Sequence, residues 1–191
     1  MTDTAFGPTA LATPANYVTI ARLLVSPLLL VAITDTGPSW WVFAVWTVLC
    51  LTDGVDGYLA RRHGTTRSGA FLDPLADKIL VLGALFALVA IERFWLVPAA
   101  IIAVREVAIS MYRSYWARRG LSIPARASAK LKTLTQQLAV GFALIPVAAN
   151  PAWLADWLLW AAVVLTVGTG LHYLYDGSRA ADTSWDDGVT A

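Results

Sequence analysis

The chain has few of the residues that cross-link a protein, carry its charge or bind zinc. Cysteine occurs once and histidine twice in 191 residues, which excludes a disulfide framework within one chain and disfavours a zinc site. Charged residues make up 14% of the chain, and the formal net charge of +1 provides no field that would attract nucleic acid. Lys and Arg are absent from the first 15 residues, so we predict no secretory signal peptide.

Apolar residues, in contrast, are abundant. They make up 58% of the sequence, and the mean hydropathy of +0.62 is typical of a helical membrane protein with several spans. Six apolar segments can be distinguished, at residues 17–34, 40–58, 70–91, 95–116, 134–149 and 153–175. The fifth is short, and we expect its helix to begin earlier, near Lys130. We therefore predict an all-α integral membrane protein with six transmembrane helices, as one domain over residues 1–178 with a polar, disordered tail at 179–191.

Basic residues predict the orientation of these helices. They concentrate at 61–67 and 118–132, whereas the alternate loops carry only Arg93. Loops rich in Lys and Arg stay in the cytoplasm, so both termini and the basic loops are predicted to be cytoplasmic, in the inner membrane of a bacterium. Tryptophans at the opposite ends of the segments fit an interfacial aromatic belt: Trp40, Trp41, Trp95 and Trp153.

Four carboxylates lie close together within this apolar chain: Asp53, Asp56, Asp73 and Asp77. The first two are three residues apart and the last two are four apart, so each pair shares one face of a helix. Two consecutive helices joined by a short basic loop can therefore direct all four carboxylates at a common point. Pro74 is compatible with the second helix if it lies in the first turn.

Four neighbouring buried carboxylates are unfavourable unless positive charge lies between them. A divalent metal ion is the simplest source of that charge, and an all-oxygen ligand set favours Mg²⁺, Mn²⁺ or Ca²⁺ over zinc. Two such ions could stabilise the attacking and the leaving oxygen of a phosphoryl displacement. The alternative is that the acids form salt bridges with nearby basic residues, namely Arg61, Arg62, Arg67 and Lys78.

The run from Asp53 to Asp77 reads D-x-x-D-G-x-x-A-R-x7-G-x3-D-x3-D, which resembles the signature of the CDP-alcohol phosphatidyltransferase family with no element missing. The resemblance implies the CDP-alcohol phosphotransferase fold, with six transmembrane helices and usually a homodimer. It also implies the reaction, in which an alcohol hydroxyl attacks the β-phosphorus of a CDP-linked lipid and CMP leaves.

The same resemblance implies roles for single residues. Two Mg²⁺ or Mn²⁺ ions would be held by four ligands: Asp53, Asp56, Asp73 and Asp77. Asp77 would also be the catalytic base that takes the proton of the acceptor hydroxyl. The residues expected to contact the CDP-lipid are Gly57, Ala60, Arg61, Ser68 and Gly69, with Arg67 as an alternative to Ser68.

Segments outside the signature resemble the phosphatidylglycerophosphate synthases of this family. TPANYVTIARLLVSPLLL, from Thr13 to Leu30, resembles their N-x-x-T-x-x-R opening, although Ala15 stands where a proline is usual. Residues 105–120 and 130–140 resemble their fourth and fifth helices. The resemblance implies CDP-diacylglycerol and sn-glycerol 3-phosphate as substrates, in phospholipid biosynthesis.

A phosphate-bearing acceptor needs cations that the CDP group does not use. The residues predicted to bind its phosphate are Arg105, Arg126, Lys130 and Lys132. Arg105 lies within an apolar segment, and we expect Glu106 to be a poor partner for it because adjacent helical residues point about 100° apart. Arg22 is expected to snorkel to the interface or to meet a lipid phosphate.

Two other interpretations stay open. Another transferase of the same family could use phosphatidylglycerol, as in cardiolipin synthesis, or inositol phosphate as acceptor. A divalent-cation transporter, with the four aspartates lining a pore, is the alternative from a different class. A transporter would distribute its acids along a path or repeat them in symmetric halves, whereas here they form one motif and no repeat is evident.

Overall fold

The structure is a computed structural model that describes residues 14–63, 67–118, 127–146 and 152–189, with side chains for 16–52, 72–115, 131–146 and 153–173. All regular secondary structure in these residues is helical. The helices are α1 (Pro14–Thr36), α2 (Trp40–His63), α3 (Arg67–Ala90), α4 (Leu96–Arg118), α5 (Ala127–Leu144) and α6 (Ala152–Val189). The described residues form six helices, which is the predicted number, and α5 begins before Lys130, as its short apolar segment suggested.

The chain reverses sharply after α1 and after α3. Gly37 follows α1 with a positive φ of 71°, and its N–H donates to the carbonyl of Ile33 at 3.0 Å, a common glycine cap of a helix C-terminus. Glu92 follows α3 with a φ of 57°, while the Arg93 N–H bonds to the carbonyl of Leu88 at 2.9 Å. A turn at Glu92 and Arg93 therefore follows the end of α3.

Two expectations about helix limits need correction. Pro74 lies inside α3, beyond the first turn that the sequence analysis required for it. Its missing N–H leaves the carbonyl four residues earlier without the usual helical donor. The backbone of α6 continues to Val189, so the helix extends beyond Arg179, where the polar tail was predicted to begin. Ala180 and Ala181 are strong helix formers and favour this continuation.

The six helices pack around one apolar core. Helix α1 lies against α3 and α2, α5 lies against α6 and α2, and α4 contacts α3 and α6. Ile33, Leu88 and Ile102 are among the fully buried core residues. Trp46 is buried as well, and its indole N–H donates to the carbonyl of Gln137 at 3.2 Å, which ties α2 to α5 at a polar point within the core.

Large apolar side chains also cover much of the outer surface. Exposed examples lie on several helices: Leu24, Leu28, Val48, Val104, Met111, Leu134, Trp157 and Val164. Two helical segments among the described residues, Asn16–Thr36 and Trp153–Tyr173, are long and apolar enough to cross a bilayer by length and composition, and Trp40–Thr52 is a shorter apolar stretch.

Gly83 provides a test of the contact between α3 and α1. A Cβ atom at Gly83 would lie 2.5 Å from Cδ1 of Leu30, whereas a Cβ at Gly168 would meet nothing within 4 Å. Alanine favours the helical backbone at both positions by about 1 kcal/mol, so the difference between the two variants reports packing alone. We expect Gly83→Ala to be less stable than Gly168→Ala by about 1–3 kcal/mol, measured by thermal unfolding of the purified protein. Equal melting temperatures would show that Leu30 moves aside freely.

Candidate functional site

The predicted acid motif spans two consecutive helices. The backbone of Asp53, Asp56, Gly57, Ala60 and Arg61 belongs to α2, and that of Ser68, Gly69, Asp73 and Asp77 belongs to α3. The helical spacing assumed for each aspartate pair is therefore present. The side chains of residues 53–71 lie outside the described ones, so the site can be built in detail from the α3 half of the motif.

Asp73 is anchored by the first helix. The hydroxyl of Thr19 on α1 donates to Oδ1 of Asp73 at 2.6 Å, a short bond of the kind that a charged acceptor makes. Thr19 is buried, whereas Asp73 is only half-buried. The bond therefore fixes one carboxylate oxygen from the protein side and orients the group, as partners behind a metal ligand commonly do.

Asp73 and Asp77 are suited to hold a hard divalent cation. They are one helical turn apart on α3 and offer only oxygen donors, which is the ligand chemistry that Mg²⁺ prefers. Among the described side chains no group of three or more His, Cys, Asp or Glu residues forms a metal site. The other two predicted ligands, Asp53 and Asp56, are not among those side chains.

A polar stripe along α1 continues inward from Thr19. Asn16, Thr19, Arg22 and Ser26 are all buried, and their spacing of three or four residues places them on one face of the helix. Arg22 is only 1% exposed, so the first of its two expected placements, at the interface, is wrong, and contact with a lipid phosphate stays a prediction. Long Arg side chains can reach water only where their helix face points outward, and this face of α1 points into the bundle.

A second polar site lies where α4, α5 and α6 meet. Nη1 of Arg105 donates to Oε1 of Glu106 at 3.0 Å, and the Lys132 ammonium group bonds to the same oxygen. Nη2 of Arg105 donates to Oγ1 of Thr169 at 2.9 Å. We name these four residues, Arg105, Glu106, Lys132 and Thr169, the basic cluster.

The contact between Arg105 and Glu106 corrects the expectation that Glu106 is a poor partner. Adjacent Cα–Cβ bonds do diverge by about 100° on a helix, but that angle applies to the start of the side chain only. The long, flexible stem of Arg105 carries the guanidinium back to the neighbouring carboxylate. Glu106 was missed as a site residue, although a carboxylate within an apolar segment is itself a functional signal.

The basic cluster has an unbalanced charge in a shielded place. Two cations share one carboxylate oxygen, which leaves a formal net charge of +1. Glu106 is 9% exposed and Lys132 is 6% exposed, so water compensates little of this charge. Buried charge of one sign is costly unless a partner neutralises it. The Asp77 carboxylate of α3 acts on Lys132, whereas Arg105 pairs with Glu106 alone among the described carboxylates, so its guanidinium is the group in the cluster suited to receive an anion.

The basic cluster lies near the acid motif. The Asp77 carboxylate interacts electrostatically with the Lys132 ammonium group, and α3 packs directly on α5. One turn beyond Lys132, the Gln136 amide donates to the hydroxyl of Thr166 on α6 at 2.9 Å. This bond continues the polar contact between α5 and α6 and holds the two helices beside the cluster.

The remaining predicted cations are less completely described. Arg126 lies outside the described residues, and Lys130 is described only as part of the α5 backbone. Arg113, two turns beyond Arg105 on α4, places its guanidinium 5.9 Å from the ring centre of Tyr173 on α6. Of the four predicted phosphate ligands, the structure thus brings Arg105 and Lys132 together.

Thr19 and Thr169 were also absent from the predicted site. Thr19 stands in the N-x-x-T-x-x-R opening, and the regular spacing of polar residues on an apolar helix could have identified it. Thr169 lies in the last apolar segment, TVGTGLHY around 166–173, where hydroxyl residues ordinarily bond to their own helix backbone. Nothing in its local sequence distinguishes it, because its partner is 64 residues away.

Comparisons with known proteins agree with the motif. The family model for CDP-alcohol phosphatidyltransferase matches residues 12–168. A probable phosphatidylglycerophosphate synthase of Mycobacterium tuberculosis is 36% identical over 178 residues, covering 88% of this chain and 83% of the relative.

Two further relatives carry the name CDP-diacylglycerol–glycerol-3-phosphate 3-phosphatidyltransferase. The protein of Haemophilus influenzae is 36% identical over 83% of this chain and 89% of its own length. That of Rickettsia felis is 30% identical over 83% of this chain and 91% of its own length. With the family model covering most of the chain and the acid motif complete on α2 and α3, the protein belongs to the CDP-alcohol phosphatidyltransferase family.

Proposed function

We propose that the protein transfers the phosphatidyl group of CDP-diacylglycerol to sn-glycerol 3-phosphate, giving phosphatidylglycerophosphate and CMP. The observation that carries this proposal is the basic cluster beside Asp77, because an acceptor with its own phosphate needs buried positive charge near the reacting hydroxyl. The names of the similar proteins from Mycobacterium tuberculosis and Haemophilus influenzae support the same substrates.

The reaction is a single displacement at phosphorus. The acceptor hydroxyl oxygen forms a bond to the β-phosphorus of the CDP-lipid, the bond from that phosphorus to the CMP oxygen breaks, and the hydroxyl proton passes to Asp77. A carboxylate within hydrogen-bond reach of the hydroxyl can accept this proton. Arg105 and Lys132, with Arg126 and Lys130, bind the acceptor phosphate and hold its hydroxyl against the phosphorus.

The acid motif binds the CDP side of the reaction. Two Mg²⁺ or Mn²⁺ ions, held by Asp53, Asp56, Asp73 and Asp77, would neutralise the pyrophosphate and stabilise the departing CMP. Thr19 keeps the Asp73 carboxylate turned toward that site. The CDP-lipid contacts the small residues and the arginine of the motif: Gly57, Ala60, Arg61, Ser68 and Gly69.

We further propose that all six helices cross the cytoplasmic membrane of a bacterium, with the site at the cytoplasmic face. The support is the apolar outer surface, since soluble monomers rarely expose large contiguous apolar patches. Exposed Leu24, Val104 and Trp157 lie on three different helices. The basic residues near the end of α2 and the start of α5 fit a cytoplasmic placement of those ends. We also expect the chain to act as a homodimer.

Release of CMP from CDP-diacylglycerol tests the proposed function directly. We expect purified protein with Mg²⁺ to release CMP with glycerol 3-phosphate and not with phosphatidylglycerol, inositol phosphate, inositol or serine, each supplied alone. Removal of divalent metal with EDTA should abolish release, and Mg²⁺ or Mn²⁺ should restore it. Release with a different acceptor would keep the acid motif's role but contradict the assignment of the basic cluster.

Asp77→Asn tests the catalytic base. The amide cannot take the hydroxyl proton, so we expect transfer to fall by about 10²–10⁴-fold while binding of CDP-diacylglycerol is largely retained. Asp35→Asn, which changes an exposed carboxylate at the end of α1, is the matched control and should keep full activity. A rate for Asp77→Asn above one tenth of wild type would show that another group accepts the proton.

Thr19→Val tests the support of Asp73. Valine has the shape of threonine but no hydroxyl, so Asp73 loses its donor from α1. We expect the Mg²⁺ concentration for half-maximal activity to rise by about 10–100-fold, and Mn²⁺ binding, followed by electron paramagnetic resonance, to weaken in parallel. Thr19→Ser keeps the donor and should restore most of the affinity. Unchanged Mn²⁺ binding in Thr19→Val would leave Thr19 with a packing role only.

A further inference from the structure

We infer that α6 completes the acceptor site, with Thr169 and Gly170 acting as positioning residues for the Arg105 guanidinium. This inference rests on the proposed function and deepens it. It gives a role to a part of the chain for which the sequence offered only an apolar span and a polar tail.

The hydroxyl of Thr169 is oriented so that it can only accept from Arg105. It donates to the carbonyl of Leu165 at 2.7 Å and also lies 3.1 Å from that of Thr166. Its single proton is therefore directed at its own helix, and an oxygen lone pair faces Nη2 of Arg105. The direction of this bond is fixed by α6 itself and does not depend on a bound ligand.

Thr169 holds the guanidinium without neutralising it. A threonine oxygen is uncharged, and the one carboxylate in the basic cluster is shared between Arg105 and Lys132. A guanidinium has five N–H donors, of which Nη1 and Nη2 each use one in the described contacts. The Nε–H group is buried against α6, so one further N–H on each of Nη1 and Nη2 remains for a phosphate, which Arg can bind through two parallel hydrogen bonds.

Gly170 provides the space in which the arginine stem lies. A Cβ atom there would be 2.9 Å from Nε and 3.3 Å from Cγ of Arg105, so the side chain runs directly over the α6 backbone. A Cβ atom at Gly168, two residues earlier, would have no atom within 4 Å. The close approach is thus specific to Gly170, and any larger residue would have to displace Arg105.

Together these contacts fix Arg105 from two sides. Glu106 on α4 bonds to Nη1 of the guanidinium, and Thr169 on α6 bonds to Nη2. Gly170 allows the aliphatic part of the arginine side chain to lie close to the α6 backbone. A cation that is already oriented loses little conformational freedom when the acceptor binds. Loss of the α6 contacts should therefore weaken binding of the acceptor phosphate and leave the CDP-lipid side unaffected.

Steady-state kinetics of Thr169→Val and Gly170→Ala test this inference. We expect each to raise the KM for glycerol 3-phosphate by about tenfold, the effect typical of losing a hydrogen bond to a charged group. The KM for CDP-diacylglycerol should stay within about twofold of wild type, as should the Mg²⁺ requirement. Thr169→Ser should restore the wild-type KM for glycerol 3-phosphate. Arg105→Ala removes the guanidinium itself, so its KM for glycerol 3-phosphate sets the upper limit of the effect.

Two control variants exclude general damage to the helices. Gly168→Ala changes a neighbouring glycine in open space, and Thr34→Val removes an exposed hydroxyl that bonds to its own helix at Val31. Both should keep the wild-type KM for each substrate. An unchanged glycerol 3-phosphate KM in Thr169→Val and Gly170→Ala would overturn the inference, and so would an equal rise in both substrates' KM values.

A binding measurement separates this inference from the proposed function. If wild type released no CMP with glycerol 3-phosphate, the proposed function would fail, but the role of α6 could still be measured. Thermal stabilisation of wild type by inorganic phosphate, lost in Thr169→Val and retained in Thr169→Ser, would then support an anion site at Arg105. Equal stabilisation of wild type and Thr169→Val would overturn it.

Discussion

A single carboxylate oxygen, Oε1 of Glu106, holds both buried cations of the basic cluster. Arg105 reaches it along α4 and Lys132 reaches it from α5. Without this oxygen two like charges would lie side by side in a shielded place, and breaking a buried ion pair typically costs about 3–5 kcal/mol. Helices α4 and α5 each pack against α6, and Glu106 is the residue through which charged side chains of α4 and α5 meet.

The first and last helices, α1 and α6, share one arrangement of polar and apolar residues. Each contains a segment apolar enough to cross a bilayer, yet each turns polar residues inward. The inner face of α1 carries Thr19, which orients an aspartate of the acid motif, and that of α6 carries Thr169, which orients an arginine of the basic cluster. Charged residues on α3 and α4 are thus supported by neutral hydroxyls on α1 and α6, which add no charge to the acid motif or to the basic cluster.

The sequence was most informative where a pattern is local. Six apolar segments predicted six helices, and the spacing of Asp53, Asp56, Asp73 and Asp77 placed the motif on two consecutive ones. Contacts between distant segments could not be predicted, because neither Thr19 nor Thr169 carries a local sign of its partner. The burial of Arg22 and the bond from Arg105 to Glu106 were missed for another reason. The first depends on which face of α1 packs into the bundle, and the second depends on where a long side chain ends, whereas helical geometry fixes only where a side chain starts.

The order of the residues along the chain has a consequence for biosynthesis. Thr19 and Asp73, which brace the acid motif, are both translated before any member of the basic cluster. Thr169 follows Arg105 by 64 residues, and at about 5–20 residues per second the ribosome needs several seconds to cover that distance. A nascent chain therefore contains the helices of the acid motif first, and it gains α6, which contacts Arg105, last.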